Sequence, residues 1–254
     1  MKAFGVYSAE NTRLKDDWLS RTMVDDLELH FTYLGSIADS GVPFERRSWL
    51  SATRRKHEAI CQAIRDNLGD VILCLDPDIQ FFRPCLPLVT EAIEGRDIVF
   101  QSEHWPFRGE VNTGFVAIRC SAKTLAFYDR VAQLELEQMS HGDQTGVNQV
   151  LAEASPGLEW AVFPRQIWAR SHGRVPPDDM ILHHANCTID LECKIRQLKD
   201  IRRWATARAG SPLWFYKRLR RIARAVRMRT PPHNAHPKHG AAGTGPRLHS
   251  RGGN

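Results

Sequence analysis

A chain of 254 residues and 28.9 kDa is long enough for one large α/β domain with a buried core plus a tail. With 42% hydrophobic and 25% charged residues, the composition excludes a wholly disordered protein. The net charge of +6 is unevenly spread: after Trp204 there are 11 Lys or Arg and no Asp or Glu, and before it 24 basic residues stand against 29 acidic ones. A body at minus 5 gives no support to nucleic-acid binding from overall basicity, and no nucleic-acid partner is expected.

In chain order, Ala3 to Tyr7 reads as a first strand, and its quick passage to the polar Ser8-Ala9-Glu10-Asn11 is too short for a secretion signal. Glu28 to Leu34 reads as a second strand, and Ala52 to Asn67 as a helix capped near Ser51 and ending before Gly69. Strands follow at Val71 to Asp76, Ile98 to Gln101 and Thr113 to Ile118, then helices at Ala122 to Met139 and Gln144 to Ala154. Strands at Trp160 to Phe163 and Met180 to His183 precede a helix from Asp190 to Ala205. Strands alternating with helices imply a mainly parallel central sheet flanked by helices.

Past Gly210 the character changes. Phe215, Leu219, Ile222 and Val226 recur at helical spacing, with Lys217, Arg218, Arg220, Arg221, Arg224 and Arg227 between them, which is the pattern of a cationic amphipathic helix. Thr230 to Asn254 is rich in Pro, Gly and His and is expected to be disordered. The six cysteines, Cys61, Cys74, Cys85, Cys120, Cys187 and Cys193, form no CxxC pair and read as reduced thiols. No apolar run reaches the 18 residues of a membrane span, so a cytoplasmic location is expected. The basic segment is the candidate for peripheral contact with an anionic membrane at its inner face.

Val71-Ile72-Leu73-Cys74-Leu75 followed by Asp76-Pro77-Asp78 is the strongest local signal. Five apolar residues in a row suit a central strand buried on both faces, and open α/β sheets present ligands at the carboxyl ends of such strands. Pro77 cannot donate to a sheet ladder, so the strand ends there. In an extended chain residues i and i+2 project to the same side, so Asp76 and Asp78 can share one cation; hard carboxylate oxygens suit Mg²⁺ or Mn²⁺. A plain turn after a strand is the alternative for these three residues.

These residues stand in a wider set: Arg54-Arg55-Lys56, Leu75 to Phe82, Asn112-Thr113-Gly114-Phe115, Asp143-Gln144 and His183-His184-Ala185-Asn186. In this order they resemble the nucleotide-diphospho-sugar transferases of the GT-A fold, whose Asp-x-Asp motif ends a central strand; the resemblance spans about Ala3 to Trp204. It implies a metal-dependent glycosyltransferase that moves a sugar from a nucleotide diphosphate, most readily UDP, to a hydroxyl acceptor such as a glycan or lipid-linked envelope molecule, with retention of configuration.

It also implies roles. Asp76, Asp78 and His184 would hold the metal, with His183 as the competing histidine. Tyr7 and Ser8 would face the nucleotide, Lys56 would approach the phosphates, and Asn112, Thr113, Gly114 and Asn186 would line the sugar pocket. Asp143, Gln144 and Asn112 would stand beside the reacting centre; Asp143 also suits a helix cap. The expected domains are 1–205 for the GT-A-like unit and, from composition and spacing alone, 206–229 for the basic helix and 230–254 for the tail. Sugar-phosphate nucleotidyltransferases are the rival enzyme class, but Ser8 to Arg13 lacks the glycines of their loop. A non-catalytic nucleotide-sugar-binding protein is the other alternative.

Overall fold

The computed structural model describes residues 1–24, 27–36, 47–137, 143–153, 157–169, 176–186, 190–208 and 210–229. The expectations for residues 230–254 and for Cys187 lie outside these. Six strands form the main sheet in the order β2-β1-β3-β6-β5-β7: β1 Lys2–Tyr7, β2 Glu28–Tyr33, β3 Val71–Leu75, β5 Ile98–Ser102, β6 Val111–Arg119 and β7 Trp160–Val162. Only β6 runs against its neighbours, so the sheet is mainly parallel. Three short strands, β4 Ile79–Phe81, β8 Ile167–Ala169 and β9 Leu182–His184, make a second sheet in the order β4-β9-β8.

The alternation of side chains along β3 builds both halves of the core. Ile72 and Cys74 face a layer formed by α2 Arg47–Asp66, α4 Ala122–Glu137 and α5 Asp143–Ala152, where they meet Ile64, Tyr128 and Val147. Leu73 and Leu75 face the other way, onto α3 Leu86–Ile93 and the small sheet, through Val89, Ile93, Ile79, Phe81 and Leu182. A helical stretch of α1 Thr12–Leu14 continuing as a wider turn over Lys15–Ser20, together with α6 Leu191–Ala205, closes the far side through Leu14, Ala185, Ile195 and Leu198. Every described cysteine is a free thiol.

Differences from the sequence reading are local. Helix α2 begins at Arg47, five residues before the expected start, because the helix-compatible Arg47, Trp49 and Leu50 extend it through the presumed cap. Strands β4 and β8 were not expected. Nor were the helical turns at Thr12–Ser20 and helix α3. Helix α7, Pro212–Arg229, occupies the basic segment.

Gly5 marks where β1 is pressed closest to its neighbours: a Cβ there would lie 2.5 Å from the Leu75 carbonyl oxygen and 2.5 Å from the Phe31 ring. The carbonyl belongs to β3 and cannot yield. Gly5→Ala should therefore destabilise the fold by about 1–3 kcal/mol, read as a lower urea midpoint at unchanged slope; an unshifted midpoint would contradict this packing.

Candidate active site

Asp76-Pro77-Asp78 is the passage between the two sheets. The Asp76 N–H donates to the Gly114 carbonyl of β6 at 2.9 Å, and the Ala185 N–H, just past β9, donates to the Asp78 carbonyl at 3.0 Å. One aspartate is thus tied to the large sheet and the other to the small one. Because β4 pairs with β9 in the register Ile79↔His184, the same crossing brings His184 opposite the aspartates. His184 Nε2 lies 3.6 Å from Asp76 Oδ2 and 3.3 Å from Asp78 Oδ1. One ligand atom from each of Asp76, Asp78 and His184 lies within 4.8 Å of the others.

The other ring nitrogen fixes the histidine's role. His184 Nδ1 is 2.9 Å from Gln101 Oε1, a contact that orients the ring and turns Nε2 toward the carboxylates. His183 lies on the opposite face of its strand, with Nδ1 3.2 Å from Gln80 Nε2. Burial, with the adjacent His184, pushes His183 down to about 3, so its ring is neutral. Gly114 makes the arrangement sterically open: a Cβ there would come within 2.1 Å of His184 Cε1. Its close approach is to the histidine ring. Two hard carboxylates and an imidazole nitrogen are a donor set that fits Mn²⁺ or Mg²⁺.

Each aspartate turns its second oxygen to a lysine. Lys56 Nζ, on α2, donates to Asp76 Oδ1 at 2.6 Å, to Asp143 Oδ2 at 2.8 Å and to the Thr113 carbonyl at 3.2 Å. Lys194 Nζ, on α6, donates to Asp78 Oδ2. Burial alone would lower the Lys56 pKa, but Asp143 and Asp76 outweigh it and hold the ammonium above the ordinary lysine range. Burial would likewise raise Asp78 and Asp143. Lys194 and His184 hold Asp78, and Lys56 and His57 hold Asp143, well below the usual carboxylate range. Asp143 also accepts from Thr113 Oγ1 at 2.8 Å and from the Gln144 N–H at 2.9 Å, so it fastens the first turn of α5 as well as the lysine.

A second group of polar side chains continues from there. Asn112 Nδ2 donates to Gln144 Oε1 at 3.0 Å and to Glu103 Oε2 at 2.6 Å, while its carbonyl oxygen accepts the Gly114 N–H at 2.8 Å. Asn186 Nδ2 donates to the same Glu103 oxygen at 3.0 Å. Tyr7, Ser8, Lys56, Asp76, Asp78, Asp143 and Lys194 line one cleft of about 170 Å³. Lys15 Nζ stands 4.8 Å from the centre of the Tyr7 ring, and Ser8 Oγ is buried with no hydrogen-bond partner among the described residues.

The residues singled out from sequence therefore gather in two adjoining sets. Asp76, Asp78, Lys56, Asp143, Tyr7 and Ser8 line the cleft, with His184 against the two aspartates; Asn112 and Asn186 meet on Glu103, and Gln144 joins them through Asn112. Sequence reasoning missed Lys194, Gln101 and Glu103. Glu103 carried a faint signal, an acid just beyond a strand; Lys194 and Gln101 carried none.

This geometry agrees with a sequence-family match. The profile of the nucleotide-diphospho-sugar transferases covers residues 14–198. The chain belongs to that family. The transferase also shares its fold with solved glycosyltransferases. It superposes with a TM-score of 0.55 on a glycosyltransferase involved in glycosylation of the major capsid of PBCV-1, at 13% identity over 79% of this chain and 98% of the other. For the galactosyltransferase LgtC in complex with donor and acceptor sugar analogues the TM-score is 0.52 at 12% identity, over 85% of this chain and 100% of the other. GlyE of Streptococcus pneumoniae gives 0.53 at 10% identity, and the transferase spans 64% of that longer protein. No curated protein matches the chain by sequence. At these identities the likeness is one of fold, and it is the GT-A fold.

Gly114→Ala should force His184 off the carboxylates. Mn²⁺ affinity, followed by isothermal titration, is expected to drop by about tenfold or more while the far-UV spectrum stays unchanged; full affinity would separate His184 from the ion.

Proposed function

We propose that the transferase moves a sugar from a UDP-sugar to the hydroxyl of a glycan or lipid-linked acceptor with retention of configuration, using Mn²⁺ or Mg²⁺ held by Asp76, Asp78 and His184. The observation that carries this reading is the convergence of those three side chains, two of them aspartates that line the cleft with Tyr7, Ser8, Lys56 and Asp143. The bound ion supplies Lewis-acid stabilisation of charge on the departing diphosphate.

The protein's own groups supply orientation and charge. Tyr7 and Ser8 bound the part of the cleft assigned to the nucleoside, with the Ser8 hydroxyl available for a ligand hydrogen bond. An ammonium has three donors, and those of Lys56 are taken by Asp76, Asp143 and Thr113. Lys56 therefore acts on the donor through its charge and by fixing the carboxylates. Asp143, Gln144 and Asn112 form the floor beside the transferred sugar, held in one rotameric arrangement by their mutual bonds. In the transfer, the acceptor oxygen bonds to the anomeric carbon as the bond from that carbon to the phosphate oxygen breaks. The acceptor proton passes to the departing phosphate oxygen on the same face. No side chain needs a raised pKa for this, consistent with Asp143 and Asp78 being held ionised.

Removing the ion with excess chelator should weaken UDP binding at least tenfold in calorimetry, and Asp78→Asn should abolish both the metal dependence and sugar transfer. UDP binding of full strength in chelator would defeat the proposal.

The same reading includes a peripheral membrane contact through α7. Among the described residues no helix is long and apolar enough to cross a membrane. Phe215, Leu219 and Ile222 are more than half exposed, whereas Lys217 turns inward to the Trp204 carbonyl at 3.1 Å. Seven Lys or Arg and no acid lie between Pro212 and Arg229, and each basic residue near an anionic surface contributes about 1 kcal/mol. The full chain should co-sediment with anionic but not neutral vesicles, less so at high salt, and should lose this on truncation after Gly210. Failure to bind anionic vesicles at low salt would remove the membrane from the reading.

A further inference from the structure

The two lysines beside the aspartates are not equivalent. Lys56 is buried and makes three hydrogen bonds. Lys194 is partly exposed, is bonded among the described residues to Asp78 alone, and lines the cleft beside Tyr7 and Ser8. Asp78, in contrast, is almost wholly buried, with a side-chain exposure of 2%. Each aspartate divides its oxygens in the same way: Asp76 Oδ2 and Asp78 Oδ1 face His184, while Asp76 Oδ1 and Asp78 Oδ2 hold Lys56 and Lys194.

The charges decide what this division does. Asp76, Asp78 and Asp143 contribute three negative charges and Lys56 and Lys194 two positive ones, leaving one negative charge around a His184 that must be neutral to ligate an ion. A dication entering alone would turn the cluster to one positive charge in surroundings where water screens poorly. The same dication entering with a diphosphate would leave the cluster negative and give Lys194 a second anionic neighbour in the cleft it lines. Without the Lys194 charge, the cluster carries two negative charges and a dication alone neutralises it.

We infer that Lys194 is a resident counter-cation that weakens the hold of Asp78 on a lone divalent ion and thereby makes ion uptake depend on the donor's diphosphate. This rests on the assignment of Asp76, Asp78 and His184 as the ion's ligands. Lys194 is thus a positioning residue acting through Asp78. It makes uptake of ion and nucleotide cooperative, because whatever strengthens one by a given factor strengthens the other by the same factor.

Mn²⁺ binding, measured by electron paramagnetic resonance with and without UDP, tests this without any turnover. Lys194→Gln keeps a hydrogen-bond donor for Asp78 but removes the charge, Lys194→Met removes both, and Lys194→Arg restores the charge. Both charge-removing variants should bind Mn²⁺ alone about tenfold or more tightly than the wild type, within the range typical of groups bonded to metal ligands. The factor by which UDP tightens Mn²⁺ should shrink in them, and Lys194→Arg should stay within about threefold of the wild type on both measures. Unchanged or weaker Mn²⁺ binding in the charge-removing variants overturns the role of Lys194. So does a wild type that binds Mn²⁺ equally well with and without UDP, a result that needs no variant to fold. If no form takes up Mn²⁺ at all, the metal-ligand assignment itself falls, which is a distinguishable failure.

Discussion

Three carboxylates crowded into one small, largely buried volume are the constraint around which this protein is arranged. Of the three, Asp78 and Asp143 are buried enough that burial works against their charge, because an unpaired buried carboxylate is strongly disfavoured. Lys56 joins two of them and Lys194 holds the third. Buried ion pairs of this kind contribute little net stability compared with apolar packing. Their value lies in the negative oxygens left over, Asp76 Oδ2 and Asp78 Oδ1, which face His184 Nε2.

That arrangement depends on the junction between two sheets. Strand β3 is packed on both faces, so its carboxyl end is rigidly placed, and the next three residues carry the chain from the large sheet to the small one. Main-chain bonds to Gly114 and Ala185 hold the two aspartates from opposite sides. The small sheet supplies the histidine and α6 supplies Lys194, and both reach the site only because β4 docks against β9. A glycine at 114 is what allows the histidine ring to lie against β6.

Two polar sets adjoin at the site: Asp76, Asp78, His184 and the two lysines make the ionic one, and Asn112, Gln144 and Asn186, linked through Glu103 and Asn112, make the other. The exposed apolar stripe on α7 is on a separate element whose contact with the body runs through Lys217 and the Tyr216–Trp204 ring pair.

Much of this was legible in the chain as written, for a local reason. The apolar run Val71 to Leu75, the proline that stops it and the two flanking acids lie within eight residues, and periodicity along a strand is enough to place both carboxylates on one side. The same local logic located most long strands and helices, missed the short strands β4 and β8, and favoured a cap at Ser51 over the residues that begin α2 at Arg47. Among the site residues, Lys56, Asp143 and Asn112 could be nominated by their place in a familiar order of motifs, but nothing local showed that Lys56 and Asp143, 87 residues apart, bond to each other.

By itself, then, the sequence determined the alternating α/β pattern, the acidic strand end and the basic character of the last helix, all of which depend on near neighbours. Only the tertiary structure decided which face each histidine takes, that Gln101 orients His184 across 83 residues, and that Lys194 reaches Asp78 across 116. Those contacts follow from how two sheets and a helix dock, and docking is settled by the packing of distant side chains, on which the spacing of residues along the chain carries no information.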